Sequence, residues 1–181
     1  MKIMTGNSDD TVNNNKRRKK MSKTLVAYFS ATGTTKRAAS VFAKAADADL
    51  FEIVPEVPYK RADLNWMDEN SRTTKEMKDK SSRPAIASDC KVEDMSCYDT
   101  IIIGFPIWWY VAPTIINTFL EQYDLSGKKI VLFATSGMSG MGETVNGLKN
   151  SAPGAVFAGG KRVTARISEA EVRAWLNTFD I

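Results

Sequence analysis

The sequence predicts an α/β protein whose parallel sheet carries helices on both faces. Three observations lead there. Strand-like and helix-like stretches alternate along the chain from Met21 onward. Its apolar strands, Thr100-Ile101-Ile102-Ile103-Gly104 above all, are continuous rather than alternating, as expected where helices cover both sides. Helix starts are marked by Pro113 and by Ser168-Glu169-Ala170-Glu171, a capping box.

In chain order, Leu25–Phe29 reads as a buried strand and Lys36–Ala46 as an alanine-rich helix. A short strand over Leu50–Val54 ends at Pro55 and Pro58. Residues 59–88 are polar, with a helical stretch near Asp68–Lys80. The third strand is Thr100–Gly104, followed by a helix with Pro113 in its first turn and Thr114–Gln122 as its body. The fourth strand is Lys129–Ala134, and Glu143–Lys149 reads as helical. A fifth strand starts at Ala155–Phe157 and extends toward Val163, and the capping box opens the last helix. Neither repeats nor an internal linker are evident. In a sheet of this kind ligands sit beyond the carboxyl ends of the strands, at a switch point. The loops after strands one, three and four should meet there, and they are the unusual loops of this chain.

The first loop, Ser30-Ala31-Thr32-Gly33-Thr34-Thr35, offers four hydroxyls around one glycine and precedes a helix. Hydroxyls, a glycine that admits a close backbone approach and the unpaired amides of a helix N-terminus together suit a phosphate. An ordinary Ser/Thr cap is the plain alternative, but one cap does not require four hydroxyls. Thr34-Thr35-Lys36 stands where a Walker A loop would need Gly-Lys-Ser/Thr, so ATP or GTP hydrolysis is disfavoured. The loop after strand three includes Pro106-Ile107-Trp108-Trp109-Tyr110. Three adjacent rings cannot all face one core, so at least one should lie on the surface or against a flat ligand. The loop after strand four, Thr135-Ser136-Gly137-Met138-Ser139-Gly140-Met141-Gly142, can lay its backbone along the edge of a planar ring. Its glycine spacing resembles a dinucleotide fingerprint only superficially, since it is not the first strand–helix turn and its order is wrong. A flexible surface loop is the competing reading. A phosphate at one end, a stacking ring and a backbone-lined edge fit a mononucleotide with a large flat head, and FMN meets that description. No acidic residue is placed for a ribose diol, which disfavours NAD as the resident group.

Composition narrows the classes further. Six Lys/Arg and two Asp lie in residues 1–20, which leaves 19 basic and 19 acidic residues in the rest of the chain. The body is formally neutral, so nucleic acid is not an expected partner. Residues 1–22 read as a polar, basic leader, disordered or outside the fold, with residues 23–181 as the ligand-binding domain. The leader has no apolar core of a secretory signal, and no stretch is long and apolar enough to span a bilayer. Cys90 and Cys97 make neither a disulfide framework nor a metal site, and the absence of histidine excludes Ser-His-Asp and Cys-His catalysis. A reduced, cytoplasmic setting is expected.

These residues resemble the flavodoxin family. Ser30–Thr35 matches the family's phosphate loop, Gly104-Phe105-Pro106-Ile107-Trp108-Trp109 resembles its second flavin loop in a short-chain bacterial branch, and Thr135-Ser136-Gly137 resembles its third. The resemblance implies a flavodoxin-like three-layer sandwich with strand order 2-1-3-4-5 and non-covalent FMN. It implies phosphate contacts from Ser30, Ala31, Thr32, Gly33, Thr34 and Thr35, ring contacts from Pro106, Ile107, Trp108, Trp109 and Tyr110, and edge contacts from Thr135, Ser136, Gly137, Met138 and Gly142. Asn70-Ser71-Arg72, Glu76 and Arg83-Pro84 also resemble this branch; apart from an Arg–Glu pair at helical spacing they suggest no chemistry. Two departures stand out. The body lacks the acidity by which flavodoxins steer to basic partners. The second loop also lacks a glycine after Gly104 until Gly127, although the family often places one there for a peptide flip on reduction. The resemblance therefore implies an electron carrier that serves redox partner proteins, while the departures favour a reductase of quinones or similar small acceptors that uses NAD(P)H. A flavin-free binding module on the same fold is the alternative from another class.

Overall fold

The computed structural model describes residues 23–181, so the leader expected over residues 1–22 lies outside the described residues. Five strands, β1 (Lys23–Tyr28), β2 (Asp49–Glu52), β3 (Tyr98–Pro106), β4 (Lys129–Thr135) and β5 (Val156–Val163), form one sheet in the order β2-β1-β3-β4-β5. Every pairing is parallel. The helices are α1 (Thr34–Ala46), α2 (Arg72–Lys78), α3 (Ile115–Glu121), α4 (Thr144–Lys149) and α5 (Glu169–Leu176).

Side chains alternate across the sheet and make two cores. Leu25, Ala27, Ile101, Ile103, Ile130 and Leu132 point to one face, where Ile115, Ile116 and Phe119 of α3 and Leu148 of α4 cover them. Val26, Tyr28, Ile102, Val131 and Phe133 point to the other, under Ala38, Ala39 and Phe42 of α1 and Val172 and Leu176 of α5. Covering both faces is what requires the central stretches of β1, β3 and β4 to be apolar. The three-layer architecture and the strand order are those expected from the sequence.

The boundaries differ in informative ways. β3 runs on to Pro106 because β4 continues beside it as far as Thr135. β5 takes the longer of its two expected extents, through Gly159 and Gly160 to Val163. α3 begins one turn position later than its proline suggests: Thr114 is the N-cap, and the carbonyl of Pro113 accepts the amide of Ile116. The expected capping box is present at α5, where Ser168 accepts from the Glu171 amide and Glu171 accepts from the Ser168 amide. The chain order reverses between β1 and β3, which lie side by side, and a crevice opens beyond their carboxyl ends.

Candidate functional site

A cleft of about 720 Å³ occupies that crevice. Its walls come from the β1–α1 loop (Ala31, Thr32, Thr34, Thr35), the β3–α3 loop (Pro106, Ile107, Trp108, Trp109, Tyr110) and the β4–α4 loop (Met138, Ser139). Leu64, Trp66 and Thr73, from the segment between β2 and β3, complete it. Two of the three expected loops therefore meet along nearly their whole length. The third contributes Met138 and Ser139, while Thr135, Ser136, Gly137 and Gly142 stand outside the cleft wall, as do Ser30 and Gly33.

The β1–α1 loop is built to receive an anion. Gly33, at φ +80°, is the N-cap of α1, where left-handed backbone comes at no Cβ cost. No side chain caps the helix there, and its first turn holds no carboxylate. The leading amides of a 13-residue helix thus face the loop with their dipole uncompensated. Thr32 and Thr34 turn their hydroxyls toward each other, 3.4 Å apart. Ser30 Oγ is buried and has no hydrogen-bond partner. Such an orphan costs about 1–3 kcal/mol unless something meets it. Thr35 is the exception among the four hydroxyls: it is buried and bonded to Thr135 Oγ1 at 2.7 Å, which ties the first loop to the end of β4.

The aromatic loop is a tight hairpin. Trp108 and Val111 exchange both backbone hydrogen bonds at 3.0 Å, and the two residues between them, Trp109 and Tyr110, have φ +46° and +67°. Two consecutive left-handed residues make a type I′ turn, which ordinarily takes Asn-Gly. Here it is made of a Trp and a Tyr, both exposed, at 41% and 66%. Trp108 goes the other way and packs edge-on against Phe29 and Tyr59, with ring centroids 5.7 and 5.3 Å away. The three adjacent rings thus divide as expected, one inward and two toward the cleft mouth. Gly142, at φ +46°, passes so close beneath this hairpin that a Cβ would fall 2.2 Å from the Tyr110 carbonyl oxygen.

The β4–α4 loop is braced from β5. Arg162 Nη1 donates to the carbonyls of Gly137 at 3.1 Å and Ser136 at 3.4 Å. Beneath the phosphate-type loop, Glu52 accepts from Lys36 Nζ and from the Tyr28 hydroxyl, each at 2.8 Å. Burial, then the bond to Glu52, holds the Tyr28 phenol protonated well above its ordinary range. Lys36 is thereby occupied, so an anion here would be met by hydroxyls and amides. Among the described residues no cluster of His, Cys, Asp and Glu is suited to a metal, and no helix is long and apolar enough to cross a membrane.

The doubly covered parallel sheet and its switch-point cleft, lined by hydroxyl donors and by aromatic rings, define a doubly wound α/β protein with a site suited to a mononucleotide. Residues 23–179 match the family model described as flavodoxin, and the chain belongs to the flavodoxin family. It is similar to a candidate flavoprotein from Bacteroides eggerthii DSM 20697, with 48% identity, 88% of this chain and 99% of that one covered, and a TM-score of 0.82. A candidate flavoprotein from Bacteroides uniformis ATCC 8492 is similar at 47% identity over 86% of this chain and 98% of that one, with a TM-score of 0.80. The flavoprotein of Lactobacillus acidophilus NCFM, solved in complex with FMN, shares the fold at 24% identity, 86% and 99% coverage and a TM-score of 0.63. No curated protein matches the chain.

Proposed function

We propose that this protein binds FMN in the switch-point cleft and serves as a cytoplasmic redox protein that carries electrons to and from partner proteins. One observation carries the proposal. The uncapped N-terminal turn of α1 and the hydroxyl-bearing Thr32 and Thr34 share one cleft with Trp108, Trp109 and Tyr110, and the buried, unpartnered Ser30 hydroxyl lies in the same loop just behind that wall. The donor set suits a phosphate and the rings suit an isoalloxazine. The FMN complex of the Lactobacillus acidophilus flavoprotein, on the same fold, supports the same occupant.

FMN, when bound, supplies the one- or two-electron chemistry. The chain supplies grip and shielding. Ser30, Thr32 and Thr34 would donate hydroxyl hydrogens to the phosphate, and the Gly33–Thr35 amides would add the helix dipole. Ala31 and Pro106 line the cleft without a polar contact. Ile107, Trp108, Trp109 and Tyr110 would exclude water from the ring, and Met138 and Ser139, on the loop that Arg162 braces, would meet its polar edge. No side chain is assigned as acid or base.

The Trp109-Tyr110 turn favours a second reading, an NAD(P)H-dependent reductase of quinones or similar small acceptors. Its backbone is fixed by two hydrogen bonds above and by Gly142 below, so it has little freedom to adjust between oxidation states. An absorbance scan of the purified protein tests the cofactor: yellow colour released on denaturation is expected, and protein that stays colourless after incubation with FMN refutes it. Oxidation of NADPH with a quinone present separates the roles, since a pure carrier shows almost none.

A further inference from the structure

We propose that Arg72 and Glu76 are positioning residues of the cleft, acting through Tyr59 to hold the Trp108 indole in place. By sequence the two make an ordinary i,i+4 surface pair; the structure gives them a different setting. Their side chains are only 24% and 13% exposed, and Arg72 Nε donates to Glu76 Oε1 at 2.6 Å. Arg72 grips the segment leading to Tyr59 in two further ways. Nη1 donates to the Val57 carbonyl at 2.6 Å, and the guanidinium lies over the Tyr59 ring, 3.9 Å from its centroid. Glu76 holds the far end of the same ring, accepting the Tyr59 hydroxyl at 2.7 Å. The ring is therefore held at its face and its tip, and the chain two residues before it at Val57, by one ion pair.

What the fixed ring touches gives the arrangement its consequence. Tyr59 packs on Trp108 of the aromatic loop and, 5.5 Å away, on Phe29, which immediately precedes the phosphate-type loop. Phe29 and Trp108 meet at 90°, so the three rings close a triangle joining both loops to the segment between β2 and β3. The same segment carries cleft residues Leu64, Trp66 and Thr73, and Thr73 Oγ1 secures it by donating to the Asp63 carbonyl. Burial, followed by the bond to Glu76, raises the Tyr59 phenol pKa, so the hydroxyl remains a donor throughout the physiological range. A pair of this kind contributes by setting geometry more than by raw stability, because two part-buried charges offset much of their attraction by losing water.

The effect on bound flavin rests on the FMN proposal, but the positioning itself is testable in the apo protein. The experiment is 19F NMR of full-length protein labelled with 5-fluorotryptophan, comparing wild type with Glu76→Leu, which removes the acceptor at similar volume, and Tyr59→Phe. Tyr59→Phe keeps the ring and removes only its tether. Both substitutions should shift or broaden the Trp108 resonance, while that of Trp175, packed on Phe42 across the sheet, stays in place. The double variant should move Trp108 no further than either single one, because both cut the same tether. After FMN loading, both variants should keep the cofactor while its visible absorbance bands shift. Trp108 unmoved in both variants, with Trp175 and the cooperative unfolding transition intact, overturns the proposal. A Trp108 resonance that moves as expected in the variants, together with wild-type protein that takes up no FMN, refutes the flavin proposal and leaves the positioning standing.

Discussion

Gly142→Ala is the sharpest test of how the cleft is assembled. The new Cβ would lie 2.2 Å from the Tyr110 carbonyl oxygen and 3.3 Å from its carbon. Ordinary contact begins near 3.4 Å, so the two backbones must separate by roughly 1 Å, and no flexible side chain can absorb the shift. Alanine must also adopt φ +46°, which costs about 1–2 kcal/mol by itself. With an overpacking penalty of about 1–3 kcal/mol, the local cost is roughly 2–5 kcal/mol. If the hairpin yields by loosening, about 2 kcal/mol of that appears in ligand binding, a fall in FMN affinity of about 30-fold. Gly137→Ala and Gly140→Ala are the controls: neither position has an atom within 4 Å of the added carbon nor a positive φ, so each should change stability by less than about 0.5 kcal/mol. FMN fluorescence titration and urea unfolding of all three read both quantities. A Gly142→Ala protein that matches wild type, or a Gly137→Ala protein equally impaired, refutes the reasoning.

Other outcomes follow from the same geometry. Thr32→Ala should weaken FMN binding by about 1.5–3 kcal/mol, the worth of a hydrogen bond to a charged group, with unfolding unchanged; titration checks it. Replacing Trp108 by Leu should alter the bound flavin's spectrum and midpoint potential more than Thr32→Ala does, as spectroelectrochemistry would read. Arg83 holds the Glu121 carboxyl below its ordinary range through paired hydrogen bonds from Nε and Nη2. A depressed folded-state pKa stabilises above the unfolded value of 4.5 and is lost as pH falls through the folded one. Glu121→Gln should therefore lower the urea midpoint at pH 7 and narrow its gap to wild type below pH 4. Deleting residues 1–20 should leave FMN affinity unaltered in the same titration.

Much of the fold was legible because burial on both faces writes itself into composition. Ile101-Ile102-Ile103 has no other economical explanation, and the Ser168–Glu171 box marks its helix to the residue. The hydroxyl loop was legible for a similar reason, since its chemistry is local. The long-range contacts were not. That Thr35 spends its hydroxyl on Thr135 depends on β1 and β4 lying two strands apart in one sheet, which no local pattern encodes. The Arg72–Glu76 pair was visible as helical spacing, but its purpose lies in Tyr59 and Trp108, distant in sequence on either side. Leu64, Trp66 and Thr73 were missed because their segment reads as polar. Trp66 and Met67, two large apolar residues in that polar stretch, were the available signal, and both are more than two-thirds exposed. The β4–α4 loop misled through its three glycines, of which only Gly142 has a backbone that demands one.

The aromatic hairpin shows why these distant contacts matter to the site. Left-handed backbone at Trp109 and Tyr110 costs roughly 2–4 kcal/mol together. The two Trp108–Val111 hydrogen bonds return about 0.5–1.5 kcal/mol each, roughly 1–3 kcal/mol together. On its own the turn therefore falls short of that cost and is not self-sufficient. It keeps its shape because Tyr59 holds Trp108 on one side and Gly142 leaves room for the Tyr110 carbonyl on the other. An Asn-Gly turn would not need the hold of Tyr59, but it would present no rings to the cleft. Choosing Trp and Tyr at these two positions trades intrinsic turn stability for aromatic surface, and that choice makes the segment between β2 and β3 part of the binding site. A hairpin held in this way is set before any ligand arrives, which lowers the ordering cost of binding.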